Sequence, residues 1–337
     1  MSDDRLMLLD TAALYFRAFH GLPETIRAPD GTPVNAVRGL LDMIARLVTE
    51  FRPRFLVACW DDDWRPQWRV DLVPSYKAHR VAGPRPDGSV VEVVPPALTA
   101  QVPLIVDTLT ALGIPTVGKS GYEADDVIGT LAATADGPVD VVTGDRDLFQ
   151  VIDDGRGVRV LSTVRGMSKL EVVTDTVLRE KYGIGAAQYA DFAALRGDAS
   201  DGLPGVAGIG EKTAARLLAE FGDLDGLLAA AADPAVPLSA GIRAKLREGA
   251  GYLERARPVV AVARDLDLPP FDAAIAVPEG GADELGRLAA RWGLGGSAVR
   301  ALAAIGAAAR AGGPVPQGAG QGQVSPGFAE HDHESPA

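Results

Sequence analysis

Three acids crowd the stretch GYEADDVIGT (121–130): Glu123, Asp125 and Asp126, directly before an apolar run that reads as a helix. Three more, Asp10, Asp61 and Asp145, close the apolar runs LMLLD (6–10), FLVACWD (55–61) and VDVVTGD (139–145), each of which reads as a strand. Asp147 follows Asp145 by two positions, so an extended backbone would point both the same way. Glu123 and Asp126, three apart on a helix, share a face, and Asp198 and Asp201 in RGDASDGLPG repeat that spacing. Read singly, each is equally a turn, dipole or capping residue. Nine together pose an electrostatic problem, because two unit charges about 5 Å apart at an effective dielectric of ~20 repel by about 3 kcal/mol. Oxygen donors with no neighbouring Cys or His suit hard divalent ions, Mg²⁺ or Mn²⁺. So many carboxylates suit two or more ions, the arrangement for in-line phosphoryl displacement.

A second signal is GLPGVAGIGEKTAARLL (202–218). Gly205, Gly208 and Gly210 permit a tight backbone hairpin before a helix N-terminus, a setting for an anion such as a DNA phosphate, and Lys212 adds charge. An ordinary helix–helix turn is the plainer alternative. LYFRAFHG (14–21) offers Arg17 and His20, and SYKAHR (75–80) offers Tyr76, Lys77, His79 and Arg80. A ring amid cations suits a nucleotide; a solvated basic turn is an equal reading.

The elements that must position these groups alternate in the first half of the chain. Strand-like runs are separated by the helical patterns 34–51, 98–113 and 123–135, which argues for a mostly parallel sheet with helices on both faces. Ligands of such sheets bind beyond the carboxyl ends of the strands, where Asp10, Asp61 and Asp145 fall. From residue 186 only helices are expected, over 186–196, 211–221, 224–231, 239–249, 253–264, 282–292 and 297–309. The division is an α/β domain at 1–185, a helical domain at 186–309 and a Gly/Pro/Gln-rich disordered tail at 310–337.

Composition sets outer limits. The chain has 337 residues, 47% of them hydrophobic, with one cysteine and a net charge of −12. Cys59 reads as a core residue. Nothing approaches eighteen uninterrupted apolar residues, so no membrane span is expected. A soluble, reduced, cytoplasmic protein is the expectation. The negative total argues against a nucleic-acid partner only as a whole-surface sum, since a binding site is local.

LLDTAALYFRAFHG, WDDDWRPQWR, SYKAHR, GYEADDVIGTLA, TGDRDLFQVI and RGDASDGLPGVAGIGEKTAARLL stand in the order found in the 5′-nuclease (flap endonuclease-like) family. Over residues 5–300 the chain resembles the 5′–3′ exonuclease domain joined to bacterial DNA polymerase I, here standing alone. The resemblance implies a PIN-like α/β domain followed by a helix–three-turn–helix DNA-binding domain. It implies one metal cluster on Asp10, Asp61, Glu123, Asp125 and Asp126 and another on Asp145, Asp147, Asp198 and Asp201. Lys77 and Arg80 would act at the scissile phosphodiester, Tyr76 would stack on a base, and Arg17 would hold a phosphate. The hairpin 205–210, with Lys212, would grip the duplex, with a K⁺ ion there. The implied substrate is DNA with a free 5′ end, nick or flap, handled in replication or repair by a nucleoid-associated bacterial monomer linked functionally to a DNA polymerase. The chain departs from the family at Gly202, where Asn is usual, and at Ala199. It departs again at 81–96, a loop-like segment in place of a basic arch, with Arg85 set against Asp87 and Glu92. A non-catalytic DNA-binding relative is the alternative; the presence of all nine acids favours catalysis.

Overall fold

The computed structural model describes residues 4–84 and 90–312. Its strands are β1 (Leu6–Asp10), β2 (Phe55–Cys59), β3 (Val81–Pro84), β4 (Val90–Glu92), β5 (Thr116–Val117), β6 (Val139–Thr143), β7 (Val158–Ser162) and β8 (Glu171–Val173). The helices of the first half are α1 (Thr11–Gly21), α2 (Asn35–Phe51), α3 (Gln67–Leu72), α4 (Pro96–Thr99), α5 (Val102–Ala111), α6 (Ala124–Thr134) and α7 (Asp175–Tyr182). Those of the second half are α8 (Tyr189–Arg196), α9 (Glu211–Phe221), α10 (Leu224–Ala232), α11 (Ala240–Val260), α12 (Gly281–Trp292) and α13 (Gly295–Gly312).

Six strands form one sheet in the order β5–β2–β1–β6–β7–β8, parallel throughout except for the antiparallel pair β7/β8. Side chains alternate between two cores, as the strand period requires. Leu8, Val57, Val141 and Val160 face a core shared with α6 and α8–α11, whereas Met7, Leu9, Leu56 and Val142 face one built with α2 and α5. After β1 the chain proceeds to β2 on one side and returns at β6 on the other. The direction of winding therefore changes beside β1, which opens a crevice at the carboxyl edge.

The structure revises several sequence expectations. β2 and β6 end at Cys59 and Thr143, so Asp61 and Asp145 lie just beyond the strands, and only Asp10 is a strand residue. Segments 239–249 and 253–264 are one helix, α11, ending at Val260. Gly249 suggests a break there, but it serves instead for close packing: a Cβ at this position would come within 3.0 Å of Val206. Helices α12 and α13 do not join the helical region's core. Leu285, Leu288, Ala301 and Ile305 complete the core over α2 and α5. The segment 81–96, read as loop, contains an antiparallel ribbon of β3 and β4. Residues 310–312 continue α13, and the rest of the expected tail, like Arg85 and Asp87, lies outside the described residues. Among the described residues no helix is long and apolar enough to cross a membrane.

Candidate active site

Because β2, β1 and β6 are neighbours, their carboxyl ends bring Asp61, Asp10 and Asp145 to one edge. Asp10 caps α1, accepting the Ala13 amide at 3.2 Å, and also accepts the Thr143 hydroxyl at 2.6 Å. The same hydroxyl accepts the Asp145 amide at 2.8 Å, so Thr143 spaces the two acids. Asp61 accepts the Ala124 amide at 2.8 Å, which fixes it against the start of α6. That start carries Glu123 and Asp125. All five line a cavity of about 800 Å³, together with Arg17, Lys77, Arg80, Asp198 and Ser200.

Burial and neighbouring carboxylates shift the protonation of several acids here upward. Desolvation, with Asp61 and Asp145 nearby, raises Asp10 to about 7. Asp125 is raised well above the usual carboxylate range by burial and by Asp145, Asp10 and Glu123. Burial, Asp201 and Asp198 raise Asp145 against the lowering hydrogen bond from the Asp147 amide, and burial, Asp145, Asp201 and Asp198 raise Asp147 well above the usual range. Such mutual repulsion is what a cation at the site would relieve.

Asp147 and Asp201 do not line this cavity; they border a separate small void that Glu123 and Asp125 also touch. The expected extended backbone at 145–147 is a turn into a short 3₁₀ segment, Asp147–Val151, closed by the Asp147 amide donating to the Asp145 carboxylate at 2.8 Å. One carboxylate oxygen of Asp147 is buried with no hydrogen-bond partner, an orphaned acceptor in want of a cation. Asp198 accepts Arg196 at 3.1 Å and the Ser200 amide at 2.8 Å. Asp201 accepts Arg80 at 3.1 Å, and its carbonyl accepts the Lys77 amide at 2.9 Å. Gly202 explains its own departure from the family: its φ of +71° and its contact with the Ser75 carbonyl leave no room for a side chain. The resulting strap holds Lys77 in the left-handed region, at φ 47°.

Two residues fall elsewhere than expected. Asp126 is fully buried and turned away from the cavity. Both its oxygens take the Arg69 guanidinium, at 2.9 and 2.8 Å, and they also accept the Ala263 amide at 2.9 Å and the Glu123 amide at 3.2 Å. Capping therefore accounts for this one acid of the three in GYEADD. Tyr76 is 3% exposed, so its ring has no face to offer a base. Its hydroxyl instead donates to Glu123 at 2.9 and 3.0 Å. Lys77 completes that group with 2.8 Å to Glu123, and although burial pulls the other way, this carboxylate holds the ammonium charged well above its ordinary range. Sequence reading missed Arg69, a nearly fully buried cation whose partner lies 57 positions away. It also missed Trp64 and Glu92 as cavity wall; neither carries a spacing signal.

The hairpin lies apart from this cavity. Gly205 (φ +68°) packs against Arg196 and Gly197, and its amide donates to the Tyr252 hydroxyl at 3.0 Å. Gly208 (φ +73°) gives its carbonyl to the Lys245 ammonium at 3.0 Å. Gly210 caps α9 in open space, and Lys212 is exposed on the first turn. The hairpin is therefore not a run of free amides: the Gly205 amide is taken by Tyr252, and the Ile209 amide at the tip donates to the Val206 carbonyl at 2.9 Å.

Among the described residues no three acids close into a cage that would hold an ion unaided. The donor chemistry nevertheless fits hard divalent ions: oxygen ligands only, one orphaned buried oxygen on Asp147, and carboxylates raised by one another.

Comparison with known proteins identifies the family. Residues 5–183 match the 5′-3′ exonuclease N-terminal resolvase-like domain, and residues 184–279 the 5′-3′ exonuclease C-terminal SAM fold. A 5′-3′ exonuclease of Streptomyces coelicolor is 62% identical over 301 residues, covering 89% of this chain and 99% of the relative. DNA polymerase I of Mycobacterium bovis is 38% identical over 79% of this chain, which spans 28% of that larger protein. The bacteriophage T5 5′-exonuclease, solved with bound zinc, shares the fold at a TM-score of 0.59 and 19% identity, over 89% of this chain and 98% of its own. The chain is a nuclease belonging to the 5′–3′ exonuclease family.

Proposed function

We propose that the chain hydrolyses DNA phosphodiesters at free, nicked or flapped 5′ ends. The observation that carries this reading is the cavity itself, where Asp10, Asp61, Glu123, Asp125 and Asp145 face Lys77, Arg80 and Arg17 across one space. Asp10, Asp61, Glu123 and Asp125 would hold one divalent ion and Asp145, Asp147, Asp198 and Asp201 another, Mg²⁺ or Mn²⁺; Asp126 is left to Arg69. Bound ions would supply an activated water and neutralise charge on the leaving 3′ oxygen.

The chain's own groups do the rest. Lys77 stands at 2.8 Å from Glu123, charged and aimed into the cavity wall, where it meets a phosphate that arrives and stabilises charge developing on it. Arg80, braced by the Ser200 carbonyl at 2.8 Å, orients the same phosphodiester. Arg17 lines the cavity with its Nε buried and without a partner, ready for a neighbouring phosphate. Tyr76 serves as a positioning residue for Glu123. The Gly208–Gly210 tip and Lys212 would grip duplex phosphates, and a K⁺ ion there would compete with the Lys245 ammonium for the Gly208 carbonyl. The chain would act as a monomer in the cytoplasm beside the nucleoid, and its 38% identity to part of DNA polymerase I supports a functional link to a DNA polymerase.

Asp145→Asn tests the reading. Cleavage of a nicked duplex in Mg²⁺ should fall by at least about a hundredfold while DNA binding holds or tightens, since transition-state stabilisation goes and negative charge is lost. Undiminished turnover would remove the carboxylates from the mechanism.

A further inference from the structure

Behind the cavity, one short segment ties the two sets of acids together. Residues 259–263, where α11 ends, receive a hydrogen bond from Arg69 Nε to the Val259 carbonyl at 3.0 Å and one from Gln150 Nε2 to the Val260 carbonyl at 3.0 Å. They return one from the Val262 amide to Gln150 Oε1 at 3.0 Å and one from the Ala263 amide to Asp126 at 2.9 Å. Gln150 also donates to the Asp147 carbonyl at 2.8 Å, and Asp126 holds the Glu123 amide at 3.2 Å. The segment therefore grips the backbone of both acid-bearing elements, through Asp126 at Glu123 and through Gln150 at Asp147. All three mediating side chains are buried.

The middle of α11 is fastened to the glycine hairpin. Lys245 donates to the Gly208 carbonyl, the Tyr252 hydroxyl accepts the Gly205 amide, and Gly249 packs against Val206. At 21 residues α11 is a rod roughly 30 Å long, with the hairpin bound along its middle, from Lys245 to Tyr252, and the acids at its end. The backbone ladder of α11 is interrupted only at Pro258, which has no N–H to donate, and the Arg69 and Gln150 bonds to the Val259 and Val260 carbonyls brace that last turn, so a displacement at the hairpin carries along the rod.

We propose that α11 is a strut linking duplex engagement at the hairpin to divalent-ion binding in the cavity, with Gln150 and Arg69 as positioning residues for the two groups of acids. The inference rests on the nuclease reading above. Linkage runs both ways: a duplex that fixes α11 raises the affinity of the acids for metal, and metal tightens the grip on the duplex by the same factor. Cutting the strut at Gln150 leaves both sites present and uncouples them.

The test uses the full chain and Mn²⁺, whose free concentration is read by electron paramagnetic resonance. Titrations run with and without a saturating nicked duplex carrying phosphorothioate linkages at the nick. Wild type should bind Mn²⁺ about five- to tenfold more tightly with duplex present, a usual size for coupling between sites. Gln150→Met should bind the duplex within about twofold of wild type yet lose most of that gain, and its kcat should fall while KM holds. Arg69→Lys, which keeps the buried charge, provides the same comparison should Gln150→Met fail to fold. No gain in a wild type that binds and cleaves the duplex overturns the strut. So does a full gain in either folded variant, which would assign it to the DNA phosphates alone. A wild type that neither binds nor cleaves DNA would instead sink the nuclease reading, and the strut with it.

Discussion

Tyr76 shows how a side chain's partner, rather than its type, sets its role. A tyrosine between cations suggests stacking, yet its ring is buried and its hydroxyl is spent on Glu123. Tyr76→Phe separates the two uses. A stacking ring would tolerate the change; a buried hydroxyl bound to a carboxylate would not, at about 1.5–3 kcal/mol for a hydrogen bond to a charged group. Turnover should therefore drop by roughly tenfold or more with DNA affinity unchanged, and normal turnover by the phenylalanine variant would return Tyr76 to stacking. Protonation gives a second expectation at this scale. Asp10 is raised to about 7, so between its unfolded value near 3.8 and 7 the folded protein carries the extra proton. Metal-free stability should then fall as pH rises from about 5.5 to 8, and Mg²⁺ should raise Tm more at pH 8 than at pH 5.5. Calorimetry across that window checks the sign, and a metal-free Tm that climbs with pH would contradict it.

At the scale of elements, the acids at strand ends were legible because an apolar run closed by Asp places a carboxylate at the sheet edge whatever else the chain does. The capping acid Asp126 was not, because its assignment depends on Arg69, which only the fold brings near. The pair at 145 and 147 was placed together rightly on mistaken geometry: a turn, rather than extended backbone, joins them. β7 escaped notice because Arg159 interrupts its apolar run, and that arginine answers Asp140, a buried carboxylate on β6 held at 2.7 Å and also by Arg5 at 3.0 Å. Asp140→Ala should cost about 1–3 kcal/mol of stability, the result of leaving two partly exposed arginines without their charge-assisted hydrogen bonds. Denaturant melts measure it, and a loss under 1 kcal/mol would mean water reaches the pair. The hairpin divides in the same way. Gly205→Ala meets the Arg196 and Gly197 backbone at 2.6 Å and should destabilise by more than about 1 kcal/mol. Gly210→Ala meets nothing within 4 Å and should spare Tm.

Across the whole molecule, a chain of net charge −12 gathers a cluster of its acids at one cavity where cations would neutralise them, so the negative total does not by itself exclude a polyanionic substrate. The sheet's change of winding beside β1 sets the cavity's place, the strap 75–77 to 201–202 closes one wall, and α12 and α13 fold back to complete the core beneath. That return was invisible in sequence, since an amphipathic helix does not say which neighbour it covers. If the reading of this cavity is right, it cuts DNA from a 5′ end with divalent metal. A duplex bearing a 5′ flap and labelled at the 3′ end of the flapped strand tests it directly, in Mg²⁺ and in EDTA, beside a blunt duplex. Labelled products cut at or near the flap junction are expected in Mg²⁺ and none in EDTA. Intact flap strand in Mg²⁺, or cleavage that EDTA leaves untouched, would contradict it.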